Sequence, residues 1–350
     1  MKKIFSFLFA LMASSILFAQ SSLVVTLSNG SNVRTFQGNT AFREALLVAK
    51  SGDVVTLSSG RFFAGEITKN VIIRGVGMSD CNTEGNVHGT SMIAGTMRIN
   101  IPASETGRLR VEGVYLSDVL QYCTEISNAS FEKCRFNTIC PDMEGVLKNC
   151  KFLHCRIARD LFLSAKSQLS MSNCVVWNPC NVTKADSGFE FTNCMICFTY
   201  WWTMDDGKRY NYAGCVENST YKNSIIDNQG NTTQIPNSCM ATYCLGTPNV
   251  FSNLAAPVRT TCKNTNFYNS PYVFKTFRGQ TYSDTETFEL TDESKTIYIG
   301  SDGTEIGIHG GSLPYDENPV RPQLLDVTVS KNTDEDGFLS VTIQAKDAEY

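Results

Sequence analysis

The chain is poor in histidine: His88, His154 and His309 are the only three in 350 residues, which leaves little material for a histidine-rich metal centre. Proline is sparse at 10 residues, and glycine at 25 is far too infrequent for a collagen-like repeat. Charged residues make up 18% of the chain, with a formal net charge of −4. They form no basic tract, so a nucleic-acid partner held by phosphate neutralisation is not expected. After the first twenty residues no apolar run approaches the about 20 residues that a membrane-spanning helix requires. What the sequence does have is a core-forming share of hydrophobic residues, 42%, and 14 cysteines.

The start reads as an export signal. Lys2 and Lys3 precede an uncharged run from Ile4 to Phe18, and small residues follow, with Ala19 the expected position before the cut. Residues 1–19 are therefore read as a signal peptide, and the protein as secreted, periplasmic or cell-surface. Without Lys2 and Lys3 the count is 28 basic against 34 acidic residues, a balance of −6.

Leu23–Leu27 then reads as a strand and Asn29-Gly30 as a turn. Thr40 is placed to N-cap a helix over residues 41–50, with Phe42, Ala45, Leu46 and Ala49 on one face. Beyond Gly52-Asp53 the apolar period changes to two, and no second helix is evident before about residue 300. The last segment differs in texture. Pro314, Pro319 and Pro322 interrupt regular structure, and alternating apolar residues from Leu325 and from Leu339 flank a turn-like stretch ending at Gly337. That pattern predicts a β-hairpin within residues 313–350.

Between these ends the sequence repeats. Leu109–Tyr115, Phe131-Glu-Lys-Cys134-Arg-Phe136, Leu147-Lys-Asn-Cys150-Lys-Phe152, Met171-Ser-Asn-Cys174-Val-Val176, Phe191-Thr-Asn-Cys194-Met-Ile196 and Tyr221-Lys-Asn-Ser224-Ile-Ile226 share one pattern. Each is apolar, two mostly polar residues, a small residue, any residue, apolar. On this alignment successive Cys or Ser positions are 16, 24, 20 and 30 residues apart. Units of about twenty residues cannot bury their own apolar side and must stack to share one. Asn149, Asn173, Asn193 and Asn223 recur beside the small residue as candidates for a ladder of turns.

The repeat and the segment before it resemble the right-handed parallel β-helix proteins of the pectin-lyase-like superfamily. The passage Ala49-Lys-Ser-Gly-Asp-Val-Val-Thr-Leu57 with Val71-Ile-Ile-Arg-Gly-Val-Gly77 looks like that family's entry into the first coil. Gly300–Gly311 looks like its closing coil. The resemblance, over residues 23–312, implies an all-β solenoid spanning 20–312 with an N-terminal capping helix and a C-terminal hairpin tail. It does not by itself imply one function, since the superfamily includes lyases, hydrolases, esterases and noncatalytic adhesins.

Cys134, Cys150, Cys174 and Cys194 occupy the small position of the repeat and read as a structural ladder, while Cys140, Cys155 and Cys180 form a second set. Same-register residues on stacked strands lie about 4.8 Å apart with parallel side chains. That suits packing better than bridging, although an exported chain with an even number of cysteines also admits a disulfide framework. Cys194-Met-Ile-Cys197 is the one Cys-x-x-Cys, with no second pair at zinc-finger spacing; no metal site is expected.

The longest interval between rungs holds Tyr200-Trp201-Trp202-Thr-Met-Asp205-Asp206-Gly-Lys208-Arg209-Tyr210. Aromatic faces stack on sugar rings, carboxylates accept hydroxyl hydrogen bonds, and cations pair with uronates. Trp201, Trp202, Asp205, Asp206, Lys208, Arg209 and Tyr210 are therefore the ligand-binding candidates, against the alternative that the tryptophans only cover core. Arg156, Arg159, Asp160 and Lys166 form a weaker charged group. The signatures of polygalacturonases, pectinesterases and classical pectate lyases are missing, so no catalytic residue is assigned. The expectation is an exported β-helix that binds polysaccharide or a cell-surface glycan without cofactor. The alternative is a divergent lyase or glycoside hydrolase on an acidic glycan, with calcium if a lyase.

Overall fold

The computed structural model describes residues 23–79, 89–142, 145–164, 166–181, 189–198, 201–203, 209–211, 218–228, 235, 238–247, 250, 262–268, 271–278, 283, 285–317, 323–329 and 341–346. The expected signal peptide, residues 1–19, lies outside them. The chain forms a parallel β-solenoid of about 7 turns, and 7% of the described residues are helical.

Each coil contributes one short strand to a first face. Ile72–Arg74, Arg110–Glu112, Ser130–Glu132, Cys150–Leu153, Leu169–Ser172, Glu190–Thr192, Thr220–Lys222, Met240–Thr242 and Cys262–Lys263 follow Val54–Leu57 in parallel order. Their inward residues fall in one register column: Ile73, Val111, Phe131, Phe152, Met171, Phe191, Tyr221 and Ala241. All are buried. Like side chains then stack like on like, with Phe131 on Phe152 at 4.6 Å and Phe191 on Tyr221 at 5.1 Å between ring centroids. A second face stacks strands that include Tyr115–Tyr122, Arg135–Pro141, Arg156–Leu163, Val175–Trp177, Met195–Cys197 and Ile225–Asp227.

The corner between the faces explains the repeat. One residue per coil takes a left-handed backbone: Gly113, Lys133, His154, Asn173, Asn193, Asn223, Tyr243 and Asn264, at φ between 48° and 61°. Asn tolerates this region best after glycine. The next residue turns inward and is small: Val114, Cys134, Cys155, Cys174, Cys194, Ser224 and Cys244, all buried. Each thiol or hydroxyl donates to the carbonyl two residues back, as Cys174 Sγ does to Ser172 (3.1 Å) and Ser224 Oγ to Lys222 (2.9 Å). It also reaches the carbonyl of the preceding coil, as Cys194 Sγ does to Met171 (3.3 Å).

The ladder therefore runs through Cys155, not Cys150. Counted this way the intervals from Val114 to Cys244 are 20, 21, 19, 20, 30 and 20 residues, so the repeat is more regular than the sequence alignment made it. Val146–Lys148 pairs with Glu125–Ser127 on a small third face. Asn149 there (φ 52°) matches Asn128 (φ 58°), and Cys150 begins the next first-face strand opposite Leu169. Two corners of the same coil use the same grammar of apolar strand, left-handed Asn and small buried residue, which is why the motif was assigned to the wrong corner. Ten of the described cysteines, Cys134, Cys150, Cys155, Cys174 and Cys194 among them, are unbridged.

At the N-terminal end Val24–Ser28 pairs antiparallel with both Val33–Gln37 and Val54–Leu57. Helix α1 (Ala41–Val48) buries Ala41, Phe42, Ala45 and Leu46. It is shorter than the expected 41–50. Thr40 caps no backbone N–H, and its hydroxyl instead donates to the Glu44 carboxylate at 2.7 Å.

A layer beyond the solenoid was not anticipated. Val175–Trp177, Met195–Cys197 and Ile225–Asp227 are buried on both sides. Val175, Trp177, Met195, Cys197, Ile225 and Leu245 form a second core with Tyr268, Phe274, Phe277, Phe288, Leu290, Ile306 and Ile308. A second helix, α2 (Asp292–Ile297), lies in this layer, N-capped by Thr291, whose hydroxyl accepts from Ser294 N–H at 3.2 Å. Gly300–Gly311 is not a closing coil. It runs back along the left-handed corner, with Ser301 N–H on Asn223 Oδ1 (2.9 Å) and Asn173 Nδ2 donating to the carbonyls of Ile308 (2.8 Å) and Gly310 (2.7 Å). Gly311 sits at φ 82°, where a Cβ would come within 2.2 Å of Asn193 Nδ2, so only glycine fits. Gln323–Val329 and Val341–Lys346 pair antiparallel.

Candidate functional site

The aromatic excursion leaves the second face after Met195–Cys197 and returns to the first at Thr220–Lys222. Its backbone forms a two-stranded ribbon, Trp201–Thr203 against Arg209–Asn211, with Trp202 opposite Tyr210 and Thr203 opposite Arg209. Asp205, Asp206 and Lys208 lie outside the described residues.

The first-face strands preceding Thr220–Lys222 in the stack carry a feature not singled out in the sequence. On the outer side of the first face Arg110, Ser130, Lys151, Ser170, Glu190 and Thr220 stand in one register column. Rungs about 4.8 Å apart put Lys151 and Glu190 roughly 9.6 Å apart across Ser170. A groove of about 310 Å³ lined by Asn149, Lys151, Gln168, Ser170 and Glu190 opens here. Lys151 and Glu190 are exposed. On earlier coils Arg110 of this column is engaged by the neighbouring column: buried Glu112 pairs with Arg74 (3.2 Å) and with Arg110, which also reaches Glu132 (3.5 Å). Among the described residues neither the Lys151 ammonium nor the Glu190 carboxylate makes an ion pair. The groove therefore offers a cation, an anion, an amide and a hydroxyl at regular spacing along a flat strand face. The signal was present as the polar residue preceding the apolar residue of each unit. The misplaced rung broke the column.

The second charged group is divided by the fold. Arg156 is buried, whereas Arg159 is exposed and lies 3.6 Å from the half-buried Asp160. Burial pushes the Asp160 carboxyl above its ordinary value, with Arg159 and a hydrogen bond from Asn178 opposing. Another polar recess, lined by Asn70, Glu105, Glu125, Ser127 and Asn128, has about 400 Å³. Its Glu105 is engaged by Lys69 and Ser51, which hold the carboxyl below the usual range. The two thiols of Cys194-Met-Ile-Cys197 lie on opposite sides of one wall, Cys194 in the solenoid core and Cys197 in the outer one, so they cannot share a metal. Among the described residues no three His, Cys, Asp or Glu side chains converge on a metal-binding geometry.

None of the protein-family models, curated proteins or solved structures compared with this chain matches it.

Proposed function

We propose that this is an exported β-helix protein of the pectin-lyase-like kind that binds an extended polysaccharide or cell-surface glycan without transforming it. The observation that carries the reading is the column Lys151, Ser170 and Glu190 lining a groove on first-face strands, the last of which pairs with Thr220–Lys222, where the tryptophan-bearing excursion re-enters the sheet. A stacked strand face repeats its polar groups at each rung, which suits a ligand that is itself a repeat. The sequence of the excursion, with Trp201, Trp202, Asp205, Asp206, Lys208, Arg209 and Tyr210, has the residue types that stack on sugar rings and pair with their hydroxyl and carboxylate groups. The N-terminal helix closes one end of the stack in this reading, and the C-terminal strands shield the other or serve as an attachment.

Titration calorimetry against soluble neutral and acidic polysaccharides tests it. Changing Trp202 to Ala together with Asp206 to Asn is expected to weaken binding by about 1 kcal/mol or more with little change in Tm. Lys151→Met with Glu190→Gln acts in the same direction. If the tryptophan is only a cover, the first pair instead lowers stability by roughly 3–5 kcal/mol. The parent binding no glycan rejects the reading.

One observation favours a second reading, an acidic-glycan lyase or hydrolase, with calcium if a lyase. Asp160 beside Arg159 has a carboxyl raised by burial, a property of groups that exchange protons in catalysis. Release of unsaturated uronate from acidic polysaccharides, with and without calcium and abolished by Asp160→Asn, would establish it.

A further inference from the structure

The corner column holds Asn at four of its eight positions, yet two consecutive coils place Lys133 and His154 there, at φ 50° and 52°. Lys133 is not a residue that a left-handed turn selects. Lys133 and His154 are nearly buried, at 9% and 6% exposure, as is Arg156 at 4%. What covers them is the end of the segment that runs back along the corner. Lys133 Nζ lies 2.7 Å from Asp316 Oδ2, and Arg156 Nε lies 2.6 Å from Glu317 Oε1. Tyr315 stacks over the guanidinium at 5.1 Å, and its hydroxyl lies 2.7 Å from Arg156 Nε. Ser79 Oγ donates to the other Glu317 oxygen at 2.8 Å. His154 Nε2 meets the Leu313 carbonyl at 3.0 Å, while its Nδ1 is buried without a hydrogen-bond partner.

Further along the corner the same segment is held by the uncharged amides of Asn173, on two backbone carbonyls, and Asn223, which accepts from Ser301 N–H and donates to the Asp302 carboxylate (3.1 Å). Burying cations against carboxylates costs desolvation that such amide contacts avoid. The segment's cover is also thin: Leu313 is 55% exposed and the Asp316 side chain 40%. Local rules broken together, beside an orphaned ring nitrogen, are what a ligand site looks like when something fills it.

We propose that Lys133, His154 and Arg156 form a carboxylate-binding recess, occupied in this state by the chain's own Asp316 and Glu317 and open to the carboxylates of an acidic ligand when residues 313–317 lift away. The recess lies at the corner that follows the first-face strands, whereas the Lys151–Glu190 groove lies where those strands begin. It stands or falls independently of that groove.

The test uses the full chain and two small carboxylates, acetate and glucuronate, against chloride at equal ionic strength. In the variant Asp316→Asn with Glu317→Gln, which leaves the recess without its internal carboxylates, both are expected to raise Tm by at least about 2 °C over chloride. Adding Lys133→Met should remove that gain. In the unaltered protein, hydrogen exchange at the Tyr315 amide, bonded to the Ile308 carbonyl at 2.8 Å, should quicken in glucuronate. Equal Tm values in carboxylate and chloride, or an unchanged Tyr315 rate, overturn the proposal. The exchange measurement decides it alone if the double variant does not fold.

Discussion

The corner residues set the character of this chain. Asn173 satisfies two buried carbonyls while holding a left-handed backbone. Asn173→Ala should cost roughly 2–4 kcal/mol in urea unfolding, from lost hydrogen bonds and backbone strain. Asn173→Gly keeps the backbone free and should cost about half of that. The thiols behind the corner are inert by location. Burial pushes Cys155 and Cys194 well above the ordinary thiol value. At Cys174, between them, burial acts the same way but hydrogen bonds from those two hold the thiol below it; all three are shielded from reagent by burial. Native protein at pH 8 should leave the Cys134, Cys155, Cys174 and Cys194 thiols unlabelled, and denatured, unreduced protein should expose them. A disulfide framework predicts none in either state. Glu289 is a surface case with a different readout. Hydrogen bonds from Lys275 and Lys295 hold its carboxyl at about 2, against an ordinary 4.5. A depressed carboxyl stabilises the fold above its unfolded value and stops doing so as pH falls through the folded one. Glu289→Gln should therefore lower Tm slightly at pH 7, with the difference shrinking between pH 4.5 and about 2. At this scale the Asn and Cys spacing was legible because each coil repeats it. The Cys150 frame error arose because two corners share one local pattern.

Among the elements, the second-face strands show what sequence pattern can and cannot assign. Val175–Trp177, Met195–Cys197 and Ile225–Asp227 lack the alternation of a half-exposed strand, and an unbroken apolar run signals burial on both faces. That signal was present and pointed to a covering layer, but not to which segment supplies it, because the partner lies up to 130 residues away, as Glu286 does from Arg156. Helix α2 was equally short of notice: one six-residue turn with a Thr291 cap has no periodicity to read. Phe274 is fully buried in the outer core, edge-on to Tyr268 and Phe277. Phe274→Ala should cost about 3–5 kcal/mol. Limited proteolysis should then release the C-terminal layer while the coils before residue 175 stay protected.

For the whole molecule, the solenoid was legible because no single unit buries its apolar side, so any sequence that repeats apolar strands at about twenty residues must stack them. The groove was not legible to the same degree. Its members come from three coils and matter only through register, and outward residues are free of the packing constraint that makes inward ones repeat. In the proposed binding mode an extended glycan lies across the Lys151–Ser170–Glu190 column. The decisive measurement is hydrogen exchange with and without the tightest-binding polysaccharide of the calorimetric panel. Added protection is expected at residues 149–151, 168–170, 190 and 218–222. Protection confined to other coils, or none despite binding, would contradict it.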